Sequence, residues 1–139
     1  TWGAGVMKLY VNGVLKRTAD TGVSSGNNIV YAADDAREVM IGADLGVVPS
    51  GAADHLDGLI DDVAIWDAAI DADGITEIYN ASPLGLDLTA ASGNYDNQGD
   101  LQGWWKLDEG TGTSAADSST NSNTGTLVNG PTWSTTTAG

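Results

Sequence analysis

Residues 7–15 read MKLYVNGVL, with Met7, Leu9 and Val11 alternating against Lys8, Tyr10 and Asn12. That is the period of a half-buried strand. Asn12 and Gly13 follow as two residues that tolerate positive φ, the preferred pair for a type I′ hairpin turn. Residues 14–18 then supply the return strand. Residues 21–28 are polar and glycine-bearing, which predicts a loop. Residues 29–32 and 38–42 (EVMIG) are predicted as short strands, the second with Val39 and Ile41 on one face, and residues 44–54 as a loop. Residues 59–66 alternate in both senses. Leu59, Asp61, Val63 and Ile65 share one face, and Ile60, Asp62, Ala64 and Trp66 the other. Whichever face is buried therefore carries a carboxylate, and a buried carboxylate needs a backbone N–H, a cation or a metal as partner.

Over residues 71–80, Ile75, Ile78 and Tyr79 fall at helical spacing, with Asp71 or Asp73 as N-cap and Pro83 and Gly85 ending the helix. Residues 84–99 form a low-charge connector with a turn at Ser92-Gly93-Asn94. Residues 101–107 (LQGWWKL) are a strand, 108–123 a long polar loop and 125–128 a short strand. Asn129-Gly130-Pro131 turns the chain before Trp133, and the tail beyond is expected to be frayed or a linker.

The predicted elements make an all-β chain with one short helix, and its 19 glycines and clusters of Ser, Thr and Asn suit many turns. A length of 139 residues allows one domain with a real core, since such a domain buries roughly two-thirds of its unfolded surface. The chain has no Phe and no Cys, so Trp and Tyr must supply the aromatic core and no disulfide staples it. No apolar run approaches the ~20 residues of a membrane helix. No signal peptide is evident, and a start without Met leaves room for a leader or a preceding domain. The formal net charge of −14 argues against nucleic acid, whose phosphates need clustered Lys and Arg, and against anionic lipid. It fits a surface that repels its neighbours, or carboxylates that hold a divalent cation such as Ca²⁺.

Asp71-Ala72-Asp73-Gly74 has the look of a calcium loop, but the matching register puts Ala69 and Asn80 where carboxylates are needed. It reads as a capped helix start. His55, the single histidine, lies in a loop beside Asp54 and Asp57, with no Cys and no G-x-S-x-G elbow in the chain. Adjacent strand residues Asp61 and Asp62 point to opposite faces and cannot flank a glycosidic bond at about 5–9.5 Å. The chain is therefore expected to be no enzyme. Sugar binding has Trp2, Trp66, Trp104, Trp105 and Trp133 to draw on. Trp104 and Trp105 face opposite sides of their strand, which puts one in the core and leaves the other open, although without Phe most of the tryptophans are needed for packing.

KLYVNGVL, GLIDDVAIWDAAI with ITEIYN, and WWKLDEGTGTSAADSSTNSNTGTLVNGPTW together resemble a laminin G-like module, a jelly-roll β-sandwich related to concanavalin A. Residues 6–81 resemble its closing half and residues 104–133 its opening strands, so the order is permuted or cut from something longer. The implied organisation is a closing half over 1–83, a connector over 84–100, opening-type strands over 101–133 that complete this sandwich or begin a second, and a tail over 134–139. In that family the opening strand lies beside the closing one, which implies a ladder between WWKLDEG and GLIDDVAIW. Related sandwiches place a structural Ca²⁺ at that junction, which would implicate Asp61 or Asp62 with Glu109 and Asp117. Trp104 and Trp105 are the ligand-binding candidates.

The segment order also resembles the C-terminal ends of large structural proteins of marine tailed phages. That implies an extracellular, virion-surface module, such as a decoration, fibre or tail-associated domain, partnered by copies of itself or neighbouring surface proteins. The alternative is a carbohydrate-binding, lectin-like module of a secreted bacterial protein, with glycans as partners.

Overall fold

A computed structural model describes residues 2–3, 6–20, 39–43, 55–81 and 85–135. The strands are β1 (Trp2–Gly3), β2 (Val6–Val11), β3 (Val14–Asp20), β4 (Val63–Trp66), β5 (Leu101–Trp105), β6 (Ser114–Ala115) and β7 (Gly125–Thr126). One helix, α1 (Ala72–Asn80), follows β4, and a 3₁₀ turn at Asn97–Asp100 leads into β5. Among the described residues the strands make three antiparallel sheets, β1-β2-β3, β4-β5 and β6-β7. Antiparallel sheets with one helix are the layout of part of a β-sandwich. The loops expected over 21–28 and 44–54, the strand over 29–32, Glu38, Pro83 and residues 136–139 lie outside the described residues.

The hairpin forms as its pattern predicts. Asn12 and Gly13 take φ of 51° and 71°, and Val11 pairs with Val14 across the turn. A side-chain carbon on Gly13 would meet the Tyr79 ring at 2.9 Å, so only glycine lets the turn rest on α1. The return strand runs to Asp20, beyond the expected residue 18. Residues 39–42 are not the expected strand. Gly42 at φ 77° leaves extended geometry, and among the described residues the pairing there is a single bridge from Ala43 to His55.

Residues 59–62 are also not strand, because Asp62 takes a φ of 49° and β4 begins only at Val63. Alternation therefore stops short of the two acids, and Asp61 and Asp62 are both exposed. Helix α1 has Asp71 as its N-cap, whose carboxylate accepts from the Gly74 N–H at 2.8 Å.

The core gathers Leu88, Tyr95, Leu101 and Trp104, with Ala64, Trp66, Ile78 and Leu86 packed against it. Three of these, Leu86, Leu88 and Tyr95, come from the segment that reads as a connector. Its turn is tight: the Ser92 N–H donates to Tyr95 O at 2.9 Å and the Tyr95 N–H to Ser92 O at 2.8 Å. That folds the fully buried Tyr95 inward. The Tyr95 hydroxyl accepts from Trp66 Nε1 at 3.0 Å and donates to Leu88 O at 2.9 Å. The two rings meet edge to face, 6.5 Å between centroids. Burial pushes the Tyr95 phenol above its ordinary value, and the nearby Asp100 and Asp87 charges add to this against the opposing Trp66 bond.

Tyr95→Phe should keep the ring in place but strip the Trp66 N–H and the Leu88 carbonyl of their partner. The expected loss is about 1–3 kcal/mol of unfolding free energy, read by denaturant titration. Wild-type stability would show that this hydroxyl is not a structural joint.

Candidate functional site

Strands β4 and β5 pair antiparallel, with Val63 opposite Trp105, Ala64 opposite Trp104, Ile65 opposite Gly103 and Trp66 opposite Leu101. This is the ladder implied between WWKLDEG and GLIDDVAIW. It ends at Trp105, and Leu107 at φ 59° turns the chain away. The other edge of β5 is closed by residues 117–123, through side chains and an isolated antiparallel bridge from Trp105 to Asp117. Asp117 Oδ1 accepts from the Trp104 N–H at 2.9 Å, and the Ser118 N–H donates to Trp104 O at 2.7 Å. Asn121 Nδ2 donates to Leu101 O and Gln102 O at 3.1 Å each, and Asn123 Nδ2 to Gln102 O at 2.8 Å.

Asp117 further accepts from the Ser119 N–H at 2.8 Å, the Ser119 hydroxyl at 2.9 Å and the Asn123 N–H at 2.8 Å. Burial pushes its carboxyl up, but the bonds from the Trp104, Ser119 and Asn123 amides and the Ser119 hydroxyl together outweigh burial. The net effect holds the group below its ordinary 3.8. A signal for this cap was present in the chain: Asp117, Ser119, Asn121 and Asn123 recur at every second position, each short and polar.

The two candidate tryptophans are both buried, 5% and 8% exposed for Trp104 and Trp105. Trp104 packs in the core, its Nε1 donates to Asp62 Oδ1 at 3.1 Å, and Lys106 Nζ stands 4.2 Å from its ring centre. Trp105 lies over Gly103, where a side-chain carbon would come within 2.5 Å of its ring. Its Nε1 donates to Asn123 O at 2.8 Å. The expectation that one of the pair stays open fails because residues 114–126 cover the second face, with Gly125 of β7 3.8 Å from Trp105 Nε1 as measured from its would-be side-chain carbon.

The four candidate carboxylates do not fit a calcium cage. Ca²⁺ takes six to eight oxygens at about 2.3–2.6 Å. Here Asp117 already accepts four hydrogen bonds, Asp62 holds Trp104, and Glu109 Oε1 accepts from the Ala116 N–H at 2.6 Å. Asp61 is exposed; partial desolvation, then the charges of Asp62 and Asp108, hold it above its ordinary 3.8. Among the described residues no three His, Cys, Asp or Glu side chains converge as a metal site.

What the ladder does build is an open groove of about 1200 Å³. Its apolar wall includes Ile41, Leu56, Leu59, Ile60, Ile65 and Val128, and His55, Asp61 and Asp108 add polar positions. Leu56 and Leu59 are each 58% exposed and Val128 62%, so much of this wall faces water. Trp133 also lines the groove, half-buried, with its Nε1 donating to Gly112 O at 2.9 Å. It is the accessible ring that Trp104 and Trp105 do not provide. The Asn129-Gly130-Pro131 turn just before it, with Asn129 and Gly130 at φ 62° and 82°, brings it there.

Residues 1–76 match the laminin G-type family model described as the concanavalin A-like lectin/glucanases superfamily. That range takes in β1 to β4 and the start of α1. No curated protein and no solved structure matches the chain.

Asp117→Ala should cost about 2–4 kcal/mol at neutral pH, since three backbone N–H groups lose a charged acceptor. A depressed folded pKa contributes stability above the unfolded value of about 3.8 that is lost as pH falls through the folded value. The gap between wild type and variant should therefore narrow in acid; a gap independent of pH would contradict the assignment. Gly103→Ala should displace the Trp105 indole and red-shift its fluorescence, and an unchanged spectrum would mean the ring does not lie over residue 103.

Proposed function

Because the chain belongs to the concanavalin A-like lectin/glucanases superfamily, we propose that it is a non-enzymatic binding module of the adhesion type, working outside the cell by packing against neighbouring polypeptide. The observation that carries this reading is the groove wall, with Leu56, Leu59 and Val128 more than half exposed on one concave surface. Contiguous exposed apolar surface of this kind marks an interaction site. The employment of the acids supports a non-catalytic role. Asp62, Glu109 and Asp117 accept structural hydrogen bonds, which leaves Asp61 and Asp108 on the groove as the acids that the assay below must judge.

The finer form of the reading is a jelly-roll module on a virion surface, as decoration, fibre or tail-associated domain. It draws on the order of closing and opening segments. A second reading has its own observation: Trp133 lines the same groove as His55, Asp61 and Asp108, a lining that offers a sugar a ring to stack on and groups to bond its hydroxyls. In that case the module is lectin-like.

Incubation of the purified chain with a panel of polysaccharides should release no reducing ends. Release that Asp61→Asn or Asp108→Asn abolishes would overturn the non-enzymatic reading. Saturable quenching of tryptophan fluorescence by an oligosaccharide, lost in Trp133→Ala, would select the lectin form over protein adhesion.

A further inference from the structure

The cations of this chain are not spread evenly. It has five Lys and Arg in all, and three of them, Lys8, Lys16 and Arg17, lie on the β2–β3 hairpin. The hairpin also shows water an apolar face. Met7 stands opposite Ala19, Leu9 opposite Arg17 and Val11 opposite Val14, so these residues share one face of the β1-β2-β3 sheet. Met7, Leu9, Val11 and Val14 are 52%, 55%, 46% and 56% exposed, and Arg17 stands exposed among them. The groove is the complement: apolar wall, with Asp61 and Asp108 among its lining residues.

We propose that copies of this chain associate head to tail, the β2–β3 hairpin of one copy seating in the acid-bearing apolar groove of the next. The inference rests on the adhesion reading and names the partner as a second copy. Electrostatics selects the orientation. At a net charge of −14 two copies repel in most approaches. Groove against groove would set Asp61 and Asp108 of both copies together, and hairpin against hairpin would oppose Lys16 and Arg17. Hairpin in groove removes both apolar faces from water and brings Arg17 to carboxylates already crowded by like charge. The two surfaces differ, so the contact is heterologous. Each dimer still offers one free hairpin and one free groove, and growth continues to a ring or an open chain.

Sedimentation velocity over a wide concentration range, at about 0.1 M salt where the Debye length is ~10 Å, tests this directly. Wild type should associate with concentration and pass beyond the dimer. Lys16→Glu with Arg17→Glu should weaken association about tenfold or more, and so should Asp61→Lys with Asp108→Lys. Each altered surface is exposed, and circular dichroism identical to wild type checks the fold. Mixing the two charge-reversed variants should restore association, because an acidic hairpin then meets a basic groove. A folded wild type that stays monomeric, a limit at the dimer, or association indifferent to both reversals would overturn head-to-tail docking. None of those results touches the non-enzymatic reading, which the reducing-end assay judges separately.

Discussion

Strand β5 has two hydrogen-bonding edges and only one strand beside it among the described residues, β4. An open edge carrying two adjacent tryptophans would be an invitation to mispairing. The chain closes it with one isolated backbone bridge, Trp105 to Asp117, and with the side chains of residues 117–123, led by Asp117, whose two oxygens collect four donors while one of them holds the Trp104 N–H. A charged acceptor makes these bonds stronger than neutral ones, and it lets a loop do the work of a neighbouring strand. With both edges satisfied, β5 becomes the fixed wall of the molecule. Trp104 goes to the core on one side and Trp105 to the covered face on the other.

The core then ties distant parts of the chain to that wall. Trp66 of β4 reaches Tyr95, Tyr95 reaches Leu88, and both Tyr95 and Leu88 pack with Trp104. Helix α1 joins through Ile78 and carries Tyr79 to the hairpin turn at Gly13. The groove is what lies on the opposite side of the same ladder, with Ile65 and Trp105 contributed by β4 and β5 themselves. Its shape therefore depends on the Asp117 cap even though Asp117 does not line it.

Local chemistry was readable wherever the nearest neighbours decide the outcome. Asn12-Gly13 names its turn because few residues accept two successive positive φ values, and Asp71 names its cap because its carboxylate reaches the Gly74 N–H without help from elsewhere. The β4–β5 ladder followed from the resemblance of two separated segments, not from periodicity. Where a distant contact decides, the pattern misled. Alternation through Leu59 to Trp66 does not reveal that Asp62 turns left-handed and bonds Trp104. Opposite faces for Trp104 and Trp105 was sound strand geometry, but it could not show that residues 114–126 cover the second face. Low charge in the connector concealed the fully buried Tyr95, which reaches the core through a two-residue turn. The groove itself has no local signature, since its lining residues come from 39–43, 55–65, 102–115 and 123–135.

The most direct measurement is amide hydrogen exchange at Trp104 in the native protein. Its N–H faces the edge of β5 where no strand lies, and its acceptor is the Asp117 carboxylate. Protection equal to that of the amides within the β4–β5 ladder, lost only on global unfolding, is the result expected if the cap holds the structure together. Exchange at the rate of an open loop amide, with the ladder still protected, would contradict it.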